Sequence, residues 1–128
     1  MNTDVKNNVI LAIGSNTEQN VSFSKAERHL KALFPGIVFS TQMWTNPIGM
    51  QSDMFLNELA FIRTMHGQMQ IIRALKQLER KCGSVKAERS KNIIRIDIDV
   101  IQFNDIRLKE EDWEREYVKT LIKQNPFV

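Results

Sequence analysis

Residues 95–100 read Arg95-Ile96-Asp97-Ile98-Asp99-Val100. Two acids alternate with three branched apolar residues, the period-2 pattern of a strand buried on one face. The pattern predicts a strand over residues 93–103. Ile94, Ile96, Ile98 and Val100 share one face, which suits packing beneath helices. Arg95, Asp97 and Asp99 share the other, with the two carboxylates about 7 Å apart at Cβ. Aspartate is a poor strand former, so two on one face carry a cost that a site would explain. Magnesium takes oxygen ligands and commonly uses one or two carboxylates together with substrate phosphates.

Upstream, residues 8–13 (NVILAI) form a short apolar run ending at Gly14, which reads as a buried strand. Phe23, Ala26, Leu30 and Leu33 then recur at helical spacing. Ser24 and Glu27 have the spacing of a capping box, the alternative being a helix that starts a few residues earlier, and Pro35-Gly36 ends the helix. Residues 37–44 are β-prone, and Asn46-Pro47-Ile48-Gly49 is a loop. Residues 55–63 read as a strand. Residues 69–82 form a second amphipathic helix, with Ile72, Leu75, Leu78 and Cys82 on its apolar face and Gly83 as its stop. Residues 84–92 are polar, with Lys86, Arg89 and Lys91 against Glu88.

Downstream, Asn104-Asp105 turns the chain. A last helix is expected over residues 110–123, with Trp113, Tyr117 and Leu121 one helical turn apart and read as core. Acids crowd its first turn and lysines its last, as the helix dipole prefers. The order β-α-β-β-α-β, then a helix, predicts an α+β fold, a ferredoxin-like βαββαβ sandwich. Its antiparallel sheet would carry two helices on one face and leave the other free for a ligand.

The length of 128 residues suits one domain over 1–128. The hydrophobic fraction of 42% and charged fraction of 26% are those of an ordinary globular protein. No apolar run approaches the ~20 residues of a membrane span, and no basic-then-apolar signal opens the chain. Cys82 is alone, so no internal disulfide forms. These features point to the cytoplasm and away from a membrane partner. Two histidines and one cysteine, far apart, argue against a structural zinc site. A net charge of +3 permits a phosphate-bearing ligand without requiring nucleic acid. The segment FLNELAFIR lacks the glycine- and aromatic-rich pattern of RNA-binding sheets, so nucleic acid is not expected as a partner.

Five pieces occur in order: Ile13-Gly14-Ser15-Asn16, Thr45-Asn46-Pro47-Ile48-Gly49, Phe55-Leu56-Asn57, Leu78-Glu79 and Asp97-Ile98-Asp99. Each is common alone. Together, spread over residues 9–103, they resemble the 6-hydroxymethyl-7,8-dihydropterin pyrophosphokinase (HPPK) family. The resemblance implies transfer of pyrophosphate from ATP to the pterin hydroxymethyl group, releasing AMP, in folate biosynthesis. It implies Asp97 and Asp99 as ligands of magnesium, two ions in the family, with ATP as co-substrate. Thr45, Pro47 and Ile48 match the loop that meets the pterin's polar edge. Asn57 matches a side chain that hydrogen-bonds the pterin, and Phe55 an aromatic that stacks on it. Glu79 falls where the family keeps a Glu near the nucleotide.

The chain also departs from the family. Ser84 stands where the family carries a basic residue, and Asn92-Ile93-Ile94 where it carries Gly-Pro-Arg. Lys86, Arg89, Lys91 and Arg95 are the candidates to replace those arginines at the nucleotide phosphates. No aromatic that closes over the pterin is recognisable after Phe103. Two readings follow: a short, divergent pyrophosphokinase, or a homologue that binds a pterin or nucleotide without catalysis.

Overall fold

The apolar run near the N-terminus becomes the central strand of the molecule. The computed structural model describes residues 6–127. In chain order its elements are β1 (Asn7–Ser15), α1 (Gln19–Leu33), β2 (Val38–Phe39), β3 (Met43–Thr45), β4 (Phe55–Thr64), α2 (Gln68–Lys81), α3 (Lys86–Arg89), β5 (Asp97–Phe103), β6 (Ile106–Arg107), α4 (Glu110–Trp113) and α5 (Glu116–Leu121). A short 3-10 turn (Ile122–Gln124) follows. The fold is α+β, with one antiparallel six-stranded sheet. Its order is β2-β4-β1-β5-β6, and β3 also pairs with β4.

Alternation along the strands sorts side chains into two cores. Val9, Leu11 and Ile13 of β1, Leu56, Ala60 and Ile62 of β4, and Ile98 and Val100 of β5 face α1 and α2. Phe23, Ala26 and Leu30 of α1 and Ile71, Leu75 and Leu78 of α2 meet them, with Cys82 buried at the end of α2. Leu33 is 47% exposed, and Ile72 yields the fully buried place to Ile71. The expected apolar stripes are therefore each off by one position at an end.

The opposite face is not free, contrary to the sequence expectation. Ile10, Ala12, Leu59, Phe61 and Ile101 are covered there by Trp113, Val118 and Leu121. The β1–β5 register shifts between Ile10 and Leu11, leaving Ile101 as the extra residue of a bulge. The Ile101 carbonyl accepts the Trp113 indole N–H at 2.8 Å. The expected single terminal helix is two short ones. Arg115 adopts an extended conformation (φ −75°, ψ 139°) between them. That break resets the helical phase, so Val118 and Leu121 reach the core while Tyr117 turns toward the remaining open part of the sheet.

Three further expectations are corrected. Helix α1 takes the earlier start, at Gln19 and without a side-chain cap, so Ser24 and Glu27 form no capping box. Residues 37–44 divide into two short strands. Strand β5 begins at Asp97 and not at residue 93. The reason for the last is a polar clamp. The buried Asn16 donates through Nδ2 to the Asn92 carbonyl at 2.8 Å and accepts the Ile94 N–H at 2.7 Å. Its own N–H donates to the Ile94 carbonyl at 2.9 Å. These bonds satisfy the backbone that a longer strand would have used. No helix among the described residues is long and apolar enough to cross a membrane.

Candidate active site

The open part of the second sheet face is floored by small residues. Gly14 pairs with Asp97 and Ala12 with Asp99 across β1 and β5, so nothing bulky stands beside the two acids. A Cβ on Gly14 would lie 3.4 Å from Asn57 Oδ1 and 3.6 Å from Phe55 Cδ1. Gly14 thus keeps a pocket open between β4 and β5. Thr45, Asn46 and Ile48 line one side with Phe55 and Asn57, and Asp112, Arg115 and Tyr117 line another. Ile94 joins the lining, so it belongs to the site and not to the helix-facing core assigned from alternation.

Asn57 is 4% exposed and held by its amide nitrogen. Nδ2 donates to Thr45 Oγ1 at 2.7 Å and to the Met43 carbonyl at 3.2 Å. Oδ1 accepts no protein hydrogen bond among the described residues and lies beside Gly14. A buried amide fixed at one end in this way offers a rigid acceptor to a ligand's N–H. Phe55 is half-buried next to it. Ile48 is 67% exposed at the rim, and Pro47 is half-buried in the same loop, between the lining residues Asn46 and Ile48.

The carboxylates carry the site's electrostatics. Burial, then the charge of Asp97, pushes Asp99 up to about 7. Its Oδ1 pairs with Lys109 Nζ at 3.6 Å, while Asp97 Oδ1 lies 3.5 Å from Arg89 Nη1. Two acids held close in a partly dry site favour a positive group between them. Among the described residues no group of three or more His, Cys, Asp or Glu could hold a metal alone. The donor set is two hard oxygen groups, which fits an ion whose other ligands come from phosphate and water.

The basic candidates separate. Arg89, on α3, donates to Ser84 Oγ through Nε and Nη2 (3.2 and 2.9 Å) and to the Ile96 carbonyl at 3.0 Å. Together with Glu79, Lys86 and Ser84 it lines a hollow next to the pocket. Glu79 is buried, and burial raises its pKa. Its Oε2 accepts the Ile98 N–H at 2.7 Å, tying α2 to β5. Its Oε1 lies 3.8 Å from Arg89 Nη2, the guanidinium that also reaches Asp97, so Glu79 stands at the edge of β5 close to the acid pair. Arg95 does not share the face of the aspartates, because β5 starts after it. It forms a two-point pair with Glu88 (2.8 and 3.0 Å) and reaches Glu18 at 3.1 Å. Lys86 and Lys91 are exposed.

Arg115, Asp112 and Tyr117 were not expected in a site. Tyr117, read as core, does pack against the second core and also lines the pocket. Burial raises its phenol pKa, with the charge of Asp112 adding to the effect. An aromatic does therefore reach the pocket from the C-terminal segment. Its signal in the sequence was chemical: a tyrosine turned to a core needs a partner for its hydroxyl.

The family model of 7,8-dihydro-6-hydroxymethylpterin-pyrophosphokinase (HPPK) matches residues 10–124, nearly the whole chain, and the chain belongs to that family. No curated protein sequence matches it. Among solved structures it is similar to a hydantoinase/carbamoylase family amidase from Burkholderia ambifaria, with 11% identity and a TM-score of 0.45. That similarity covers 80% of this chain and 29% of the amidase, and is too slight to bear on function.

Proposed function

We propose that this HPPK-family chain transfers the terminal diphosphate of ATP to the hydroxymethyl group of 6-hydroxymethyl-7,8-dihydropterin. The observation that carries the reading is the shared pocket. One cleft holds the Asp97/Asp99 pair together with an amide acceptor and aromatic side chains suited to a flat, polar-edged ring. In the reaction the hydroxymethyl oxygen attacks the β-phosphorus and gives up its proton to solvent, the bond from that phosphorus to the α,β-bridging oxygen breaks, and AMP leaves with the bridging oxygen. Asn57 Oδ1 would accept from the pterin's N–H edge, with Thr45 fixing the amide. Phe55 and Tyr117 would offer ring faces, and the loop of Thr45, Pro47 and Ile48 would border the polar edge. Asp97 and Asp99 would hold magnesium, whose charge offsets that of the phosphates and orients them for in-line attack. Lys86 and Arg89 line the adjoining hollow where a nucleotide's phosphates could rest, with the exposed Lys91 nearby in sequence. Arg95 would reach phosphate only after leaving Glu88. The strand order supports a ferredoxin-like arrangement.

The second reading, binding without turnover, is favoured by one observation: Arg89 and Arg95 are both engaged within the protein. AMP formation from ATP with magnesium, with and without the pterin, separates the two. Pterin-dependent AMP is the expected result. Pterin binding by folded protein with no AMP would overturn the enzymatic reading and leave a binding protein.

A further inference from the structure

Each aspartate of the pair has one cation, and the two cations are held differently. Arg89 is fixed by Ser84 Oγ and the Ile96 carbonyl as well as by Asp97. The Lys109 ammonium meets only Asp99 among the described residues, and its side chain is 48% exposed. Lys109 also sits in the left-handed region (φ 53°, ψ 65°), which a non-glycine residue adopts at a cost. Its neighbours hold it there. The Leu108 N–H donates to the Ile101 carbonyl at 2.9 Å, and the Asp112 N–H donates to the Lys109 carbonyl at 2.9 Å. The backbone is thus fixed beside Asp99, where Lys109 and Leu108 line a second hollow that shares Asp99 with the pocket, while the half-exposed side chain can swing.

We propose that Lys109 is the movable countercharge of this site. It pairs with Asp99 while the carboxylates hold no divalent ion, and moves to a phosphate oxygen when they do. The inference rests on the proposed metal–phosphate role of Asp97 and Asp99. Its physical basis is that one carboxylate oxygen cannot keep an ammonium close while a divalent cation shares the same pair, because the two cations repel. The displaced ammonium has three donors and a flexible stem, and the negative group that arrives with the ion is the nucleotide's phosphate chain. Lys109 would then contact substrate directly, on the side of the pair away from the strapped Arg89.

The test is a pair of affinities measured on the full chain: Mn2+ alone, by electron spin resonance or calorimetry, and Mg2+ with a non-hydrolysable ATP analogue. Lys109→Met and Lys109→Gly both remove the charge, and glycine relieves the left-handed backbone, so at least one variant should stay folded. The expected signature is a change of opposite sign. Mn2+ should bind about three- to tenfold tighter as its competitor is lost, and the nucleotide analogue weaker by a similar factor. A purely structural lysine would lower both affinities or neither, and either result overturns the proposal. So does undetectable Mn2+ binding in the unmodified chain. The readouts need no turnover. Opposite shifts without AMP formation would keep the inference and reject the reaction, whereas AMP formation with unchanged affinities would reject the inference alone.

Discussion

Replacing Glu58 with glutamine should change how stability depends on pH. Glu58 lies on β4 opposite Ile13, on the face covered by α1, and is 1% exposed. Its Oε1 is buried without a hydrogen-bond partner among the described residues. Burial, then the hydrogen bond and charge of Glu27, pushes its carboxyl up to about 9, against smaller opposing effects of Gln42 and Lys31. The folded state therefore keeps a proton that the unfolded chain releases near 4.5. The associated stability is fully present below about pH 4.5 and is lost as pH rises toward 9. Between those limits the loss is roughly 1 kcal/mol per pH unit, or roughly 3–4 kcal/mol from pH 5 to pH 8. Glu58→Gln keeps the shape and removes the titration. Urea unfolding of both proteins at pH 5, 6.5 and 8 should show nearly equal stability at pH 5 and a growing advantage for the variant above it. Parallel pH profiles would refute the idea that this carboxyl is buried in its acid form.

Two other substitutions separate stability from ligand binding. Glu79→Ala leaves the Ile98 N–H without its acceptor, in the buried contact between α2 and β5. It should cost about 3 kcal/mol, read as a lower urea midpoint at unchanged slope; a loss below about 1 kcal/mol would show that the bond is dispensable. Gly14→Ala places a methyl 3.4 Å from Asn57 Oδ1, inside the pocket and without a left-handed backbone to strain. Stability should stay within about 1 kcal/mol. Pterin affinity, followed by pterin fluorescence, should fall about tenfold or more; unchanged affinity would move the ring elsewhere.

Legibility of the fold followed the strength of the local pattern. Residues 69–82 carry a clean amphipathic period, and helix α2 lies within one residue of that range. The Asp97/Asp99 face was readable because alternation holds inside β5. Its start was not, because Asn16, some eighty positions earlier, supplies the hydrogen bonds that end the strand at Asp97. The C-terminal segment was misjudged for a related reason. Trp113, Tyr117 and Leu121 fit one helix on paper, but the bulge at Ile101 and the extended Arg115 favour two helices. Only that break brings Tyr117 to the pocket. Arg95 shows the limit of face assignment by counting: β5 begins after it, and its guanidinium pairs with Glu88 instead of lining up with the aspartates.

The most direct test follows the phosphate itself. ATP labelled at the γ-phosphate is incubated with magnesium and 6-hydroxymethyl-7,8-dihydropterin, using the unmodified chain and Asp97→Asn. The expected result is label on the pterin in amounts equal to AMP, and neither product from Asp97→Asn, which should remain folded. Label released as inorganic phosphate, ADP in place of AMP, or equal transfer by Asp97→Asn would contradict diphosphate transfer at the paired aspartates.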